Sequence, residues 1–432
     1  SSIVASDASV YIGSSRFSYD RQNHVLALAR LKQNHVPVYL AELGFTAANL
    51  PTGYDHDDMS VRDWVVHARE HFDNQDLDVS DVFPTANDDW DTIDAGAMDM
   101  FTTRRNRTAF DALTLRPRFL RTVEERNLST TVLGQKISMP VVLAPAGSHM
   151  RAHPEGEVAT ARGAGMSDTL MMLSTSSNCS MEEVSQAASS PLWFQLYHRG
   201  YDLTEMLVHR AEEAGFKAIV LTVDTPVPSP KERDLRNNTI RTHELGNFRG
   251  MDRPQNEISG TDETPGWDVS RTEPLTWSEL DWLRGLTQLP LVLKGIRTAE
   301  DAHVAVESGV DGIQVSTHGG RQLDMTMGAI EMLPEIADAV KGQAEIYLDS
   351  GVRRGSDVIK ALALGARAVA IGRPLFWGLA VDGANGVHGV LELMREEVDR
   401  AMAYCGQTSV EDLNPNLIGI PSDWGSGSRM TS

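Results

Sequence analysis

The stretch YLDSGVRRGSDVIKALALGARAVAIGRP, residues 347–374, reads as strand, polar turn, helix, glycine stop and second strand. Val358, Ile359, Leu362 and Ala363 share one helical face, Ser356 is placed to cap the helix, and Gly365 to end it. Two runs flank the helix, Glu345–Gly351 and Ala368–Pro374, and most runs of this kind in the chain are too uniformly apolar to have a wet face, as parallel strands buried on both sides should be. Working outward, six more such runs precede them: Pro140–Ala146, Leu170–Ser177, Pro191–Tyr197, Ala218–Thr225, Pro290–Ile296 and Gly312–Gly319. Helical patterns separate them. In one, Asp202 with Glu205 makes a capping-box start, Leu203, Met206, Leu207, Ala211 and Ala214 share a face, and Gly215 stops it. Eight strand–helix repeats predict an α/β fold of the (β/α)8 TIM-barrel type rather than an open sheet.

The rest of the 432 residues is arranged around that barrel. Residues 1–110 are expected to form a helical, acidic, partly looped N-terminal arm, 111–413 the barrel, and 414–432 a C-terminal tail. In the arm, Val25 to Leu31 reads as a short helix, and Val61, Trp64, Val65, Ala68 and Phe72 as an amphipathic one. A 64-residue excursion, 226–289, follows the fourth run, with a helix expected near Trp277 to Leu283. It far exceeds an ordinary barrel loop and is either a lid over the site or a subunit-contact insertion.

The formal charge of −21 disfavours DNA, RNA or an anionic membrane as partner. Most of that charge is local, since Tyr54 to Asp99 holds 14 acidic residues against two arginines. No apolar run approaches the roughly 18 residues of a membrane span. No charged–apolar–small signal opens the chain, and Cys179 and Cys405 read as buried thiols of a reducing compartment, so a cytoplasmic location is expected. No metal site is supported: His198 and His209 fall on different elements, and His149 with His153 lacks matching carboxylates.

Barrel active sites sit at the C-terminal ends of strands, which here are polar. The first end supplies Ala144, Pro145, Ala146 and Gly147, the second Ser174, the third Gln195 and Tyr197, the fourth Thr222 and Asp224. The fifth supplies Lys294, the sixth Ser316, His318 and Arg321, the seventh Asp349, Ser350, Gly351 and Arg353, the eighth Gly372 and Arg373. The last two ends look like a phosphate cradle, with glycines for close approach and arginines for charge. Taken singly, Lys294 fits a Schiff-base lysine or a surface charge equally well, and His318 fits a base near neutral pH or a structural histidine.

The strings PLVLKGI, QVSTHGGRQLD, WFQLY, LTVDTP and the 347–374 stretch, together with RPRFL at 116–120 and AHPEGE at 152–157, resemble the FMN-dependent α-hydroxy acid oxidase and dehydrogenase family. That family includes glycolate oxidase, lactate oxidase, lactate monooxygenase and mandelate dehydrogenase. The resemblance runs from about residue 109 to 413. It implies an FMN enzyme that oxidises a small-molecule (S)-2-hydroxy acid, with oxygen or another electron acceptor completing the cycle, and a homotetramer. It implies that His318 takes a substrate proton, that Asp224 steadies the imidazole, and that Lys294 faces the flavin where reduction places charge. Arg321 would pair with the substrate carboxylate and Tyr197 would hydrogen-bond the substrate. FMN would lie on Ala144–Ala146, Ser174, Gln195 and Thr222, with its phosphate on Ser350–Arg353 and Gly372–Arg373, and with Lys294, Ser316 and Asp349 also at the cofactor.

The substrate shell departs from the family pattern. Thr92 stands where a Tyr is usual, Lys231 where an Arg is usual, Ser176 where an aromatic is frequent, Thr317 for Asn before the His, and Gly147 where several oxidases have Ala. Side-chain volume and a guanidinium fork are lost together, so a substrate bulkier than glycolate, such as an aryl-bearing acid, is expected. Tyr54, Trp90 or an excursion residue is the alternative filler of that space. Gly147 leaves oxidase, dehydrogenase and lactate-monooxygenase-like oxidative decarboxylation open. Rival classes are a non-redox FMN-dependent isomerase and a flavin-binding protein that has lost catalysis; His318 with Asp224, Lys294 and Arg321 argues against both.

Overall fold

The computed structural model describes residues 92–227, 229, 231, 232, 234, 244–251, 275–422 and 424, with backbone strands at 9–12 and 15–18. Eight strands close a parallel barrel in sequential order: β1 (Val141–Leu143), β2 (Met171–Ser174), β3 (Leu192–Leu196), β4 (Ile219–Thr222), β5 (Leu291–Ile296), β6 (Gly312–Val315), β7 (Glu345–Leu348) and β8 (Ala368–Ile371). Closure is by β8 on β1, with Val369 opposite Val141. The outer ring is α1 (Gly156–Met166), α2 (Met181–Ala187), α3 (Tyr201–Glu213), α4 (Trp277–Leu286), α5 (Ala299–Glu307), α6 (Ala329–Val340), α7 (Gly355–Ala363) and α8 (Arg373–Cys405), the last bent at Asp382 and Gly383.

Strand alternation sorts the core into two clusters. Val141, Leu143, Met171, Leu173, Phe194, Ile219, Leu221, Leu291 and Leu293 face the helices. Val142, Met172, Trp193, Val220, Val292 and Tyr347 fill the barrel, together with Val132 and Ile137 of a hairpin, Thr130–Val132 with Gln135–Ile137. Trp193 donates its Nε1 hydrogen to Gln135 Oε1 at 2.8 Å, so hairpin and interior are tied together. The inward period of two then carries each strand to a polar residue: Met172 to Ser174, Trp193 to Gln195, Val220 to Thr222, Val292 to Lys294, Tyr347 to Asp349. A polar mouth over an apolar plug follows from that register.

Some sequence expectations are corrected at element starts. The helix at 201 is not capped by Asp202; it begins after Gly200, which offers no side chain, and Thr204 Oγ1 accepts from Arg199 N at 3.1 Å instead. Nor does Ser356 cap α7. The Asp357 carboxylate accepts from the backbone N–H groups of Arg353 and Arg354, at 2.9 and 3.0 Å, because a carboxylate in the first turn also favours the helix dipole. Ser180 with Glu183 on α2 and Thr276 with Glu279 on α4 form capping boxes in which a hydroxyl and a carboxylate both take part. In the arm, Ser9–Ile12 pairs antiparallel with Ser15–Ser18, a hairpin where no strand was expected. Its sequence signal is two residues, Gly13 and Ser14, between runs holding β-branched and aromatic residues. The expected helices at Val25–Leu31 and Val61–Phe72, and the fillers Tyr54 and Trp90, lie outside the described residues.

The helix Phe101–Ala112 runs across residue 110, the expected edge of the barrel domain. Thr102, Asn106, Ala109 and Phe110 form its buried face. Asn106 Nδ2 donates to Thr317 Oγ1 at 2.8 Å, and the backbone N–H of Thr102 donates to Asp324 at 2.7 Å, fastening the helix to the loop after β6. Past residue 413, Ile418–Gly419 pairs with Thr114–Leu115, and Trp424 donates to Ala109 O at 3.0 Å. Within the excursion, residues 244–251 dock on the loop after β2: Asn247 Nδ2 donates to the carbonyls of Ser174 and Thr175, and its Oδ1 accepts from Met181 N at 2.9 Å. Both cysteines are free and buried.

Candidate active site

Three neighbouring strands begin the site. Ser174 Oγ donates to Gln195 Oε1 at 3.1 Å, and Gln195 Nε2 donates to Thr222 Oγ1 at 2.9 Å. All three are buried, so the amide is fixed with its flanking hydroxyls in one row across β2, β3 and β4. Ala144 lies above β1 and Gly147 beyond it. A Cβ on Gly147 would stand 2.9 Å from Ser176 O and 3.0 Å from Ser176 Cβ. The volume missing at Gly147 is therefore taken by the Ser176 main chain, which partly corrects the expectation that it enlarges the pocket.

Lys294 and Asp349 form the buried centre. Lys294 Nζ donates to Ser316 Oγ at 3.2 Å and lies 3.7 Å from Asp349 Oδ2. Burial alone would lower the lysine, but Asp349 and Asp224 outweigh it and hold it above its ordinary value. The Asp349 oxygens are occupied by Gln314 Nε2, Ser316 Oγ and Ser350 Oγ, each at 2.6 Å, so it acts here as the counter-charge and organiser of the loop ends. Ser350 Oγ in turn accepts from Thr317 N and Gly319 N, at 3.2 and 2.9 Å. This holds the His318 loop to β7.

His318 has a positive φ of 56°, which aims its ring across the mouth. Its Nδ1 lies 2.9 Å from Asp224 Oδ1, and its Nε2 is 3.4 Å from Tyr197 Oη. Burial, with Lys294 next, lowers the imidazole against the opposing pull of Asp224. Burial would raise the Asp224 carboxyl, but His318, Lys294 and Arg297 hold it well below the usual carboxylate range. A neutral imidazole held by a carboxylate is the state a proton acceptor requires.

The Arg321 side of the mouth is built from distant segments. Arg321 Nη1 donates to the carbonyls of Thr92 and Ala95, at 2.8 and 2.6 Å, and burial with Arg373 nearby lowers the guanidinium to about 10. Thr92 Oγ1 donates to Asp234 Oδ1 at 2.9 Å, so its hydroxyl is already engaged. Lys231 donates to Ser229 O at 3.2 Å, and burial with Arg321 nearby lowers its ammonium to about 8. Thr92, Lys231, Asp234 and Arg321 thus gather beside the His318 loop, as a cationic pair with one balancing carboxylate.

At the other end, Ser350 and Gly351 have φ of 71° and 95°. A Cβ on Gly351 would lie 2.4 Å from Asn106 O, so glycine admits the entry helix there. Arg353 crosses the Trp377 ring with its guanidinium carbon 5.2 Å from the centroid. Burial, with Arg373 and Arg107 nearby, lowers it to about 9, and no described carboxylate lies within ion-pair distance of it. A Cβ on Gly372 would meet nothing within 4 Å. Open backbone beside crowded cations is what a phosphate group would relieve, so the residues fit FMN at this end. Arg373 instead donates to the carbonyls of Gly319, Asp94 and Ala95, which straps residues 94–97 over the mouth.

Several participants escaped the sequence reading. Arg297 Nη2 donates to Asp224 Oδ2 at 3.1 Å. Arg107 bonds the Gly351 carbonyl and pairs with Asp357. Asn106 holds Thr317, and Asp234 balances the Lys231 and Arg321 charges. Asn106 alone had a signal, as a polar residue at helical spacing from Thr102, Ala109 and Phe110. Among the described residues no cluster of His, Cys, Asp and Glu could hold a metal, and no helix is long and apolar enough to cross a membrane.

The mouth of the closed parallel barrel joins a histidine–aspartate pair, a buried lysine and a basic end beside open backbone, a set that suits an oxidoreductase with a phosphate-bearing cofactor. The FMN-dependent dehydrogenase model matches residues 84–420, and the chain belongs to that family: it is an FMN-dependent oxidoreductase of the 2-hydroxy acid oxidase class. It is 44% identical over 323 residues to a peroxisomal (S)-2-hydroxyacid oxidase of Arabidopsis thaliana, covering 73% of this chain and 88% of the relative. An L-lactate oxidase of Nostoc sp. is 45% identical over 328 residues, covering 73% and 89%. Among solved structures, a mandelate oxidase superposes with a TM-score of 0.70 at 39% identity, over 76% of this chain and 92% of that one.

Proposed function

We propose that the chain oxidises a bulky (S)-2-hydroxy acid to its 2-oxo acid, with His318 as the base. The observation that carries this is the His318 Nδ1–Asp224 pair at 2.9 Å, with Nε2 turned toward Tyr197 Oη beside Arg321. FMN, when bound, supplies the two-electron acceptor. Arg321, helped by Lys231 while it is charged, binds the substrate carboxylate, and Tyr197 orients the substrate by hydrogen bonding. His318 Nε2 receives the substrate proton, and Asp224 stabilises the imidazolium that results. Lys294, kept charged by Asp349, offsets the negative charge that develops on the acceptor side. Ala144–Ala146, Ser174, Gln195, Thr222 and Ser316 are assigned to the ring system, and Ser350, Gly351, Arg353 and Gly372 to the phosphate end, with Arg373 behind them spent on the carbonyls of Gly319, Asp94 and Ala95.

The preference for bulk rests on the small residues Thr92 and Ser176, and on the mandelate oxidases among the structural neighbours. Anaerobic mixing with glycolate, lactate and mandelate tests it, followed by admission of air. Flavin bleaching fastest with mandelate is expected; fastest bleaching by glycolate sinks the size preference, and no bleaching by any acid sinks the activity. The product after air separates peroxide-forming oxidation from oxidative decarboxylation, which Gly147 keeps as the second reading. A homotetramer, tested by light scattering, completes the proposal.

A further inference from the structure

Asp224 has two oxygens and two cationic partners. Oδ1 faces His318 Nδ1 at 2.9 Å, while Oδ2 accepts from Arg297 Nη2 at 3.1 Å. Arg297 is held independently, since its Nε donates to Ser316 O at 3.0 Å. Its side chain is only 15% exposed, and Asp224 is 4% exposed, so the pair is shielded from bulk solvent. The backbone is shaped for this approach. Gly295 has a φ of 110°, and a Cβ there would stand 2.5 Å from Asp224 Cβ. The register of β5 on β6 shifts between Lys294 and Ile296, so one strand end delivers Lys294 into the barrel and Arg297 against Asp224.

We propose that Arg297 is a positioning residue for proton transfer: it anchors Asp224 and keeps His318 unprotonated in the resting enzyme. The inference rests on His318 being the base. The charges that face His318 come from every neighbouring element: Asp224 after β4, Lys294 and Arg297 of β5, Asp349 of β7, with Tyr197 of β3 and Arg321 of its own loop. Asp349 is matched by Lys294 and Asp224 by Arg297, which weakens the pull of both carboxylates for a proton on the imidazole. Without Arg297, Asp224 would keep only Lys294, which it shares with Asp349, as a fixed counter-charge, and its pull for a proton on His318 would grow, which disables the acceptor. Burial and Lys294 already lower His318 against Asp224, in the same direction.

The test is a histidine titration by NMR on 13C-labelled, FMN-loaded protein without substrate, with the His318 signal assigned by its loss in His318→Gln. In Arg297→Gln the His318 titration is expected to move up by about one pH unit, and the acid limb of kcat/KM to move with it. Arg297→Lys, which keeps the charge, should hold both within a few tenths. An unmoved His318 titration in Arg297→Gln, at unchanged FMN content and melting temperature, overturns the proposal. Arg297→Met, which keeps the aliphatic packing, takes its place under the same two outcomes if Arg297→Gln does not fold. The NMR readout does not depend on turnover, so wild-type flavin that no hydroxy acid bleaches would sink the base assignment and leave this arm standing.

Discussion

The two halves of the site are built differently. The half proposed for proton transfer, with Tyr197, Asp224, Lys294, His318 and Asp349, stands on the ends of five barrel strands and is cross-linked by hydrogen bonds of 2.6–3.4 Å. The half proposed for the substrate carboxylate joins Arg321 to Thr92 and Ala95 of the entry segment, and to Lys231 and Asp234 of the excursion. A strand end is held by its ladder and core; a meeting of three remote segments is held only by its own contacts. Chemistry belongs on the first kind of support, and substrate preference is more easily varied on the second.

Breaking the first half should cost most. His318→Ala is expected to keep FMN bound and slow flavin reduction by about 10³-fold, within the usual range for losing a general base. Stopped-flow bleaching measures this, and reduction at the wild-type rate would end the assignment. Arg321→Met should raise KM for the acid by roughly a hundredfold, from loss of a charge-assisted contact, with FMN content unchanged. Equal KM values in variant and wild type would remove Arg321 from the carboxylate half.

Smaller effects sharpen the boundary between the halves. Gly147→Ala places a methyl 2.9 Å from Ser176 O, and should cost roughly 1–3 kcal/mol of stability as overpacking. Thermal melts of the holoenzyme check this, and an unchanged melting temperature would show that the Ser176 loop yields freely. The smallest effect concerns pH. Lys231 is lowered to about 8, so it is charged below that pH and neutral above it. Attraction for an anionic substrate is thus present below pH 8 and lost above it, and KM should rise severalfold from pH 7 to 9. Lys231→Arg should flatten the rise, because a guanidinium stays charged there; an equal rise in both would exclude Lys231.

Legibility in the sequence follows the same division. The inward alternation that places Trp193 and Val292 in the barrel carries directly to Gln195 and Lys294, so strand-end residues could be read from period alone. His318 and Asp224 stood out because the strings around them resemble a family. Arg297 stood out by neither route, since it lies one residue beyond β5 and its partner Asp224 is 73 positions away. The cap errors at Asp202 and Ser356 are of another kind: a shift of one or two residues in a helix start changes which side chain reaches the free N–H groups.

The sequence by itself determined the barrel and its polar mouth, because a buried strand repeats every two residues and its signal is local; the FMN chemistry was legible only as what the resemblance of its motif strings to a family implies. Only the tertiary structure decided that Ser176 fills the space at Gly147, that Thr92 is spent on Asp234, and that Asp224 serves Arg297 as well as His318. Those are contacts between segments far apart in the chain. Their geometry depends on how loops close over the mouth, which no local period records.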